Sequence, residues 1–351
     1  MRIVILITAL CIASVMPLWA DAVFGTDARL IAMGGAGLAT TDRPTATAKL
    51  NPAALGLLPK GVRLIFPTVS FRVEGTSVGD ITSWANKLVG ISGQESIDLA
   101  REFGKRDTMI DVNASTGFAG SPLSVTLDGE ARARILPNAS FRQFAETGVL
   151  PADPSTMQAI VWGEAAISEP SVGFGFKVPN FATGKSDLWL GTRLRWVRGK
   201  YVRRTVSWSG SIDPNNALIT SNEPIQDESG VGGDFGAIYR TNGRSGLTFG
   251  VAATDLLKPS LGPIEQDTIL SVGMSARPNS KVLIAADIIN LTNGYDEGTK
   301  LRIGVEVAPV SVLAVRAGYS GDAFTYGFGF FGFDIAFSSD IPLSIARTIR
   351  F

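Results

Sequence analysis

The chain has 351 residues, 32 of them basic and 32 acidic, with no histidine and a single cysteine. Zero net charge argues against a nucleic-acid binder, which would carry a basic excess. Without histidine the usual proton carrier of hydrolytic sites is missing, and neither carboxylate pairs nor Ser–Lys form a recognisable motif. The chain is expected to be no enzyme and to need no cofactor or metal.

The N-terminus reads as a targeting segment. Arg2 supplies a positive end, residues 3–15 form a compact apolar run, and Ala20-Asp21-Ala22 is a small-x-small cleavage signal. Residues 1–22 are therefore expected to be a secretory signal peptide; as a spanning helix the charge-free run would be barely long enough, and Pro17 interrupts it. Cys11 lies inside that run and would leave with it. Leu10 stands where a lipoprotein site needs a small residue.

Residues 23–60 are not strand-like. Met33-Gly34-Gly35-Ala36-Gly37 is followed by a polar stretch and then by Asn51-Pro52-Ala53-Ala54-Leu55. Asn51 before Pro52 predicts a short helix start, since the amide can accept from free backbone N–H groups and proline loses nothing at the first helical position. Small residues let backbone pack against backbone, as a plug inside a pore requires.

From residue 61 onward the dominant period is two. Leu301, Ile303, Val305 and Val307 alternate with Arg302, Gly304, Glu306 and Ala308, and Phe324, Tyr326, Phe328 and Phe330 alternate with Thr325, Gly327 and Gly329. If Phe331-Gly332 is a two-residue hairpin turn, Phe330 pairs with Phe333, Phe328 with Ile335 and Tyr326 with Phe337. No run of about 18 apolar residues follows the first segment, so any membrane crossing must be made by strands. Thirty-nine glycines and nineteen phenylalanines suit tight turns and aromatic girdles. The expectation is an all-β, transmembrane antiparallel barrel over residues 61–351, in the bacterial outer membrane and in contact with its lipid.

Within that barrel the segments count to sixteen, with Glu169-Pro170 and Gly199-Lys200 read as turns. Residues 137–157 and 221–230 read as loops, the latter acidic. Two short amphipathic helices are expected at 80–108 in an outer loop. Asp234, Arg302, Glu306, Arg316 and Asp334 alternate inward and predict a charge-balanced polar lumen network. Arg347 shares parity with Ile345 and Ile349, which would face it to lipid unless it snorkels or a bulge turns it inward.

The glycine-rich segment and Asn51-Pro52-Ala53 together resemble the N-terminal part of a superfamily of bacterial outer-membrane proteins that includes FadL, PorV/PorQ and the TraF-like proteins. The resemblance continues at Gly233-Asp234-Phe235-Gly236, Thr248-Phe249-Gly250-Val251, Leu283-Ile284-Ala285-Ala286-Asp287 and Val315-Arg316-Ala317-Gly318-Tyr319. Thr41-Asp42-Arg43-Pro44 and Leu50 depart from the pattern, which usually has an acidic stretch and an aromatic there. The resemblance implies a monomeric barrel of about 14 strands (12–16) with small helices in outer loops. Residues 23–60 would form an inner plug, positioned by Met33, Gly34, Gly35, Ala36, Gly37, Asn51, Pro52 and Ala53. It implies passive uptake of small hydrophobic, long-chain fatty-acid-like molecules. The alternative is a PorV-like barrel that docks or shuttles secreted protein partners, and a third is a structural barrel without transport.

Overall fold

The computed structural model describes residues 27–74, 107–179, 186–208, 218–220, 226–243, 246–258, 267–294, 298–310, 312–321, 323–338 and 343–350, with a few positions between them. The expected signal peptide, and nearly all of the two helices expected at 80–108, lie outside the described residues. The strands are β1 (Arg63–Glu74), β2 (Thr108–Gly120), β3 (Leu123–Pro137), β4 (Gln158–Lys177), β5 (Ser186–Trp208), β6 (Leu218–Thr220), β7 (Gln226–Thr241) and β8 (Thr248–Thr254). They continue as β9 (Ile269–Asn279), β10 (Val282–Ile289), β11 (Lys300–Val310), β12 (Leu313–Tyr319), β13 (Phe324–Phe330), β14 (Phe333–Ser338) and β15 (Leu343–Arg350).

All fifteen belong to one antiparallel sheet in which sequence neighbours pair with one another, except that β7 pairs with β5 and not with β6. β4 pairs with β5 along nearly its whole length, and β5 also pairs with β7. β15 pairs with β1. Following the ladders from β1 leads through β5 and β7 to β15 and returns to β1, while β6 attaches only to the end of β5.

The expected hairpin is present. Phe331 and Gly332 carry φ of 47° and 83°, the left-handed pair of a two-residue turn. Phe330 faces Phe333, Phe328 faces Ile335 and Tyr326 faces Phe337, whose rings stack 5.7 Å apart.

Several boundaries differ from the sequence reading. Glu169-Pro170 is not a turn but an irregularity within β4, where the register against β5 shifts between Glu169 and Ser171. A bulge accommodates a residue that has no N–H to give. Gly199 and Lys200 pair with Ala166 and Ala165 inside the β4–β5 ladder, so β5 runs on for 23 residues. These two mergers bring the sixteen expected segments to fourteen, with β6 additional. Residues 226–230, expected as loop, open β7. The expected loop 137–157 contains the helix Ala139–Thr147, capped by the Asn138 side chain and ended by Gly148 in the left-handed region. Phe141 and Phe144, three apart, bury one face of it with Met157 and Ala159.

Burial follows the predicted alternation. Leu301, Ile303, Val305 and Val307 are exposed, and Arg302, Gly304 and Glu306 between them are buried. β13 repeats the pattern, with Phe324, Tyr326, Phe328 and Phe330 outward. Among the described side chains, exposed apolar groups recur on the same face of β3, β4, β5, β7, β8, β9, β10 and β12. No helix among the described residues is long and apolar enough to cross a membrane. Arg347 lies opposite Phe333, directly after the turn, and on its other side the β1–β15 register shifts between the Ile65–Thr348 and Val69–Ile345 pairs, the interval that contains Arg347.

The inward face is covered by residues 27–58. They form a five-residue helix Ala28–Ala32, a second helix Pro44–Leu50 and a 3₁₀ turn Pro52–Leu57. Apolar side chains of this segment bury against the sheet in several small clusters, among them Leu30, Leu38, Ala46 and Leu50 with Ala252, Ile269 and Ile289.

The turn residues give a direct check. Gly332→Val should lower stability by about 1–2 kcal/mol, because a β-branched side chain is strained at that φ. Phe331→Asn should leave stability equal or higher. Urea titration of the protein in detergent micelles, followed by tryptophan fluorescence, measures both.

Candidate functional site: the inner segment and its anchors

The inner segment is held by charges. Arg29 is fully buried, with the Asp42 and Glu306 carboxylates against it. Its Nε and Nη2 donate to the two Glu306 oxygens at 2.8 and 3.0 Å, and Nη2 also donates to Asp42 at 2.7 Å. Burial alone would lower the Arg29 pKa, but the Asp42 and Glu306 carboxylates more than offset it and raise it, so the guanidinium stays charged. Glu306 accepts a second guanidinium, Arg316 Nε at 2.6 Å. Arg316 Nη1 lies 2.9 Å from Asp334, whose other oxygen accepts from Arg43 at 2.7 Å. Arg277 reaches Asp42 at 2.5 Å. The result is an alternating chain, Arg277–Asp42–Arg29–Glu306–Arg316–Asp334–Arg43, that begins on β9, crosses the inner segment twice and touches β11, β12 and β14. Asp42 and Arg43, adjacent in sequence, bind in its two halves.

Backbone contacts supplement these pairs. Asp287 on β10 accepts from the N–H groups of Gly37 and Leu38 at 2.7 and 2.9 Å. Gly34 N–H donates to Thr325 Oγ1 at 2.8 Å, and that hydroxyl donates to the Ala32 carbonyl. The Asn51 amide donates to the carbonyls of Leu38, Ala237 and Val251 at 3.1–3.2 Å, while its oxygen accepts from Ala53 N–H. One side chain thus caps the 3₁₀ turn and ties it to β7 and β8.

Such close approach needs a bare wall. A Cβ on Gly318 would lie 2.3 Å from Gly34 N, and one on Gly236 would lie 2.0 Å from Asn51 Oδ1. Both glycines sit at inward strand positions where any other residue would push the segment away.

Each residue expected for positioning, Met33, Gly34, Gly35, Ala36, Gly37, Asn51, Pro52 and Ala53, is buried in this arrangement. The five expected lumen charges are also buried, but they do not form one network. Glu306, Arg316 and Asp334 belong to the chain above. Arg302 stands opposite Asp287 in the β10–β11 ladder and packs against Gly35. Asp234 sits elsewhere, accepting from Arg193 at 2.6 Å and Arg195 at 3.1 Å, with Asp255 completing that cluster against Arg195. Sequence reasoning missed Arg29, Asp42, Arg43 and Asp287 as anchors. Only the inward parity of Asp287 on its strand could have pointed to one of them. Among the described residues no group of three or more metal-ligating side chains comes together.

No protein-family model and no curated protein sequence matches this chain. Solved structures do. A mutant of the TodX monoaromatic hydrocarbon channel lacking S2 and S3 aligns over 92% of this chain and 98% of its own, at 14% identity and a TM-score of 0.56. The TodX toluene transporter of Pseudomonas putida aligns over 95% and 97%, at 12% identity and a TM-score of 0.47. The translocator domain of the autotransporter NalP from Neisseria meningitidis aligns over 92% and 99%, at 12% identity and 0.33. The first of these likenesses supports the outer-membrane β-barrel class of fold.

Removing a shared counter-charge should loosen the inner segment. Glu306→Gln leaves two buried guanidinium groups short of a carboxylate and should cost about 3–5 kcal/mol. Asp287→Asn keeps one acceptor oxygen and should cost about 1–2 kcal/mol. Urea midpoints in micelles give the order, and faster trypsin cleavage after Lys49 in Glu306→Gln reports release of the segment itself.

Proposed function

We propose that the chain is a fourteen-strand barrel of the bacterial outer membrane, working as a monomer, in which residues 23–60 form a plug and small hydrophobic molecules pass without energy input. The observation that carries this reading is what the inner segment covers. Its apolar side chains cap apolar wall positions, Ala252, Ile269 and Ile289 on one side and Ile65 and Ala119 on another. Displacing it would uncover greasy patches inside a wall that also carries buried polar and charged groups. A small apolar solute gains from such patches by the same burial that now holds Leu30, Leu38, Leu55 and Leu58. The fold is shared with a monoaromatic hydrocarbon channel, which supports a small apolar permeant as a class. Long-chain fatty acids remain one member of it.

The outward face supports the membrane address. Lipid requires every backbone group to be paired within the protein and an apolar exterior along each strand. Two-residue links (such as 121–122, 280–281 and 331–332) alternate with longer connections, which suits short periplasmic turns and longer outer loops. A docking role for secreted protein partners has one feature in its favour. The residues after the outer helix Ala139–Thr147, Val149 and Leu150, are both exposed and apolar.

Uptake measurements test the proposal. Cells with no hydrophobic-uptake channel of their own, expressing this protein, should take up radiolabelled toluene and oleate faster than vector controls, and an uncoupler should not abolish the difference. Gly318→Val, which displaces the segment, should also admit small hydrophilic solutes. Uptake equal to the control, with folded protein present in the outer membrane, would overturn the transport reading.

A further inference from the structure

The inner segment is held to the wall in two different ways. Residues 27–43 are fixed by the ion pairs of Arg29, Asp42 and Arg43 and by the Gly37 and Leu38 N–H groups on Asp287. Residues 51–58 contain no charged side chain. The hydrogen bonds of the 3₁₀ turn Pro52–Leu57 run within the turn and to Asn51. Its contacts with the wall are between small and apolar groups. Asn51 itself is tied at three carbonyls, those of Leu38, Ala237 on β7 and Val251 on β8. Beyond the turn, Gly61 has φ of 110°, a conformation that favours glycine. The turn is thus a flap between a fixed post and a glycine pivot. Lifting it breaks apolar contacts, whereas lifting residues 27–43 would strip buried charges of their partners.

Beneath the flap the wall changes character rung by rung. Gly175, Gly191 and Gly236 face one another across β4, β5 and β7, a stretch about 10 Å wide with no side chain. A Cβ at Gly175 would lie 2.7 Å from Gly56 N and 2.9 Å from the Pro52 carbonyl oxygen, so the flap rests directly on this backbone. One inward step towards the start of β5, Trp189 faces Ile238, and both are buried with Ala53 and Ala54. The Arg240 guanidinium stands 4.9 Å from the Trp189 ring centre and pairs with Asp187 at 2.8 Å, which holds the indole from the wall side. One inward step the other way, Arg193 faces Asp234 and donates to it at 2.6 Å. Lifting the flap therefore uncovers a smooth trough, with an indole at one end and a matched ion pair at the other. A flat apolar ring suits such a surface, because bare backbone permits close approach and the indole adds ring contact. A carboxylate gains little there, since the neighbouring guanidinium is already engaged.

We propose that the segment opens by residues 52–58 alone, while residues 27–51 stay in place. The trough so uncovered, floored by Gly175, Gly191 and Gly236 beside Trp189, is the binding site for a small, flat, uncharged apolar molecule. This rests on the transport reading above and assigns a subsite within it.

Opening can be measured without reference to transport. Ala54 and Ala36 are both fully buried, the first in the flap and the second in the pinned half. With Cys11→Ser in the background and the protein in lipid vesicles, Ala54→Cys should react with iodoacetamide about tenfold faster than Ala36→Cys. Toluene should speed the Ala54→Cys reaction further by holding the flap open, and benzoate, the same ring with a charge, should not. Cross-links then connect the flap to uptake by cells. A disulfide between Leu58→Cys and Ala119→Cys, which share one apolar cluster, should block toluene uptake until a reductant is added. One between Ala32→Cys and Ala336→Cys, in the pinned half, should leave it unchanged. Equal alkylation rates, or uptake lost to the second disulfide, would mean that the segment leaves as one body and would overturn the flap. Uptake undiminished by the first disulfide would overturn it too, and benzoate acting as toluene does would overturn the trough's ligand class. If no uptake occurs at all while Ala54→Cys still outpaces Ala36→Cys, the transport reading falls and the flap over its trough remains.

Discussion

The alternation of side chains along each strand is the constraint from which the rest follows. Backbone geometry sends successive residues to opposite faces, and this chain keeps apolar groups on one face and small or charged groups on the other. Neither face could be exchanged with the other. The exterior has ring and branched side chains that water would not favour, and the interior has Arg302, Glu306 and Arg316, which hydrocarbon would reject. A one-residue slip anywhere would invert both faces at once, so the register is specified strand by strand.

The inner segment solves the problem that this interior creates. Charges in a low-dielectric space are costly unless matched, and the strands alone leave them incompletely matched. Arg316 has Glu306 and Asp334 within reach, but Asp334 also takes Arg43, and Glu306 also takes Arg29. Residues 27–43 thus complete the pairing that the wall begins. The wall reciprocates with glycines, so that backbone meets backbone at Gly318 and Gly236, and with Asp287, which accepts the two N–H groups at Gly37 and Leu38. Segment and wall depend on each other.

How much of this was legible in the sequence depended on distance along the chain. The period of two and the Phe331-Gly332 turn are local, and the structure shows their pairings residue for residue. Turn-forming residues inside long strands misled: Pro170 sits at a bulge and Gly199 in an ordinary ladder position, and nothing in their neighbours distinguishes these from real turns. The helix Ala139–Thr147 was hidden in a polar stretch, although Asn138, Phe141, Phe144 and Gly148 together spell a cap, a buried face and an end. The anchors were least visible. Arg29 and Glu306 are 277 residues apart, and no spacing rule connects them. Asp42 and Arg43 read as departures from a family pattern, when they are the two residues through which the charge chain passes.

The central claim is that one face of every strand meets hydrocarbon. Spin labels placed singly at positions 301 to 307 of β11, in a chain whose only cysteine is the label site, measure it directly in lipid vesicles. Accessibility to dissolved oxygen should peak at 301, 303, 305 and 307 and fall at 302, 304 and 306, with a water-soluble nickel reagent failing to reach the odd positions. Ready access of the nickel reagent to positions 303 and 305 would place that face in water and contradict the account.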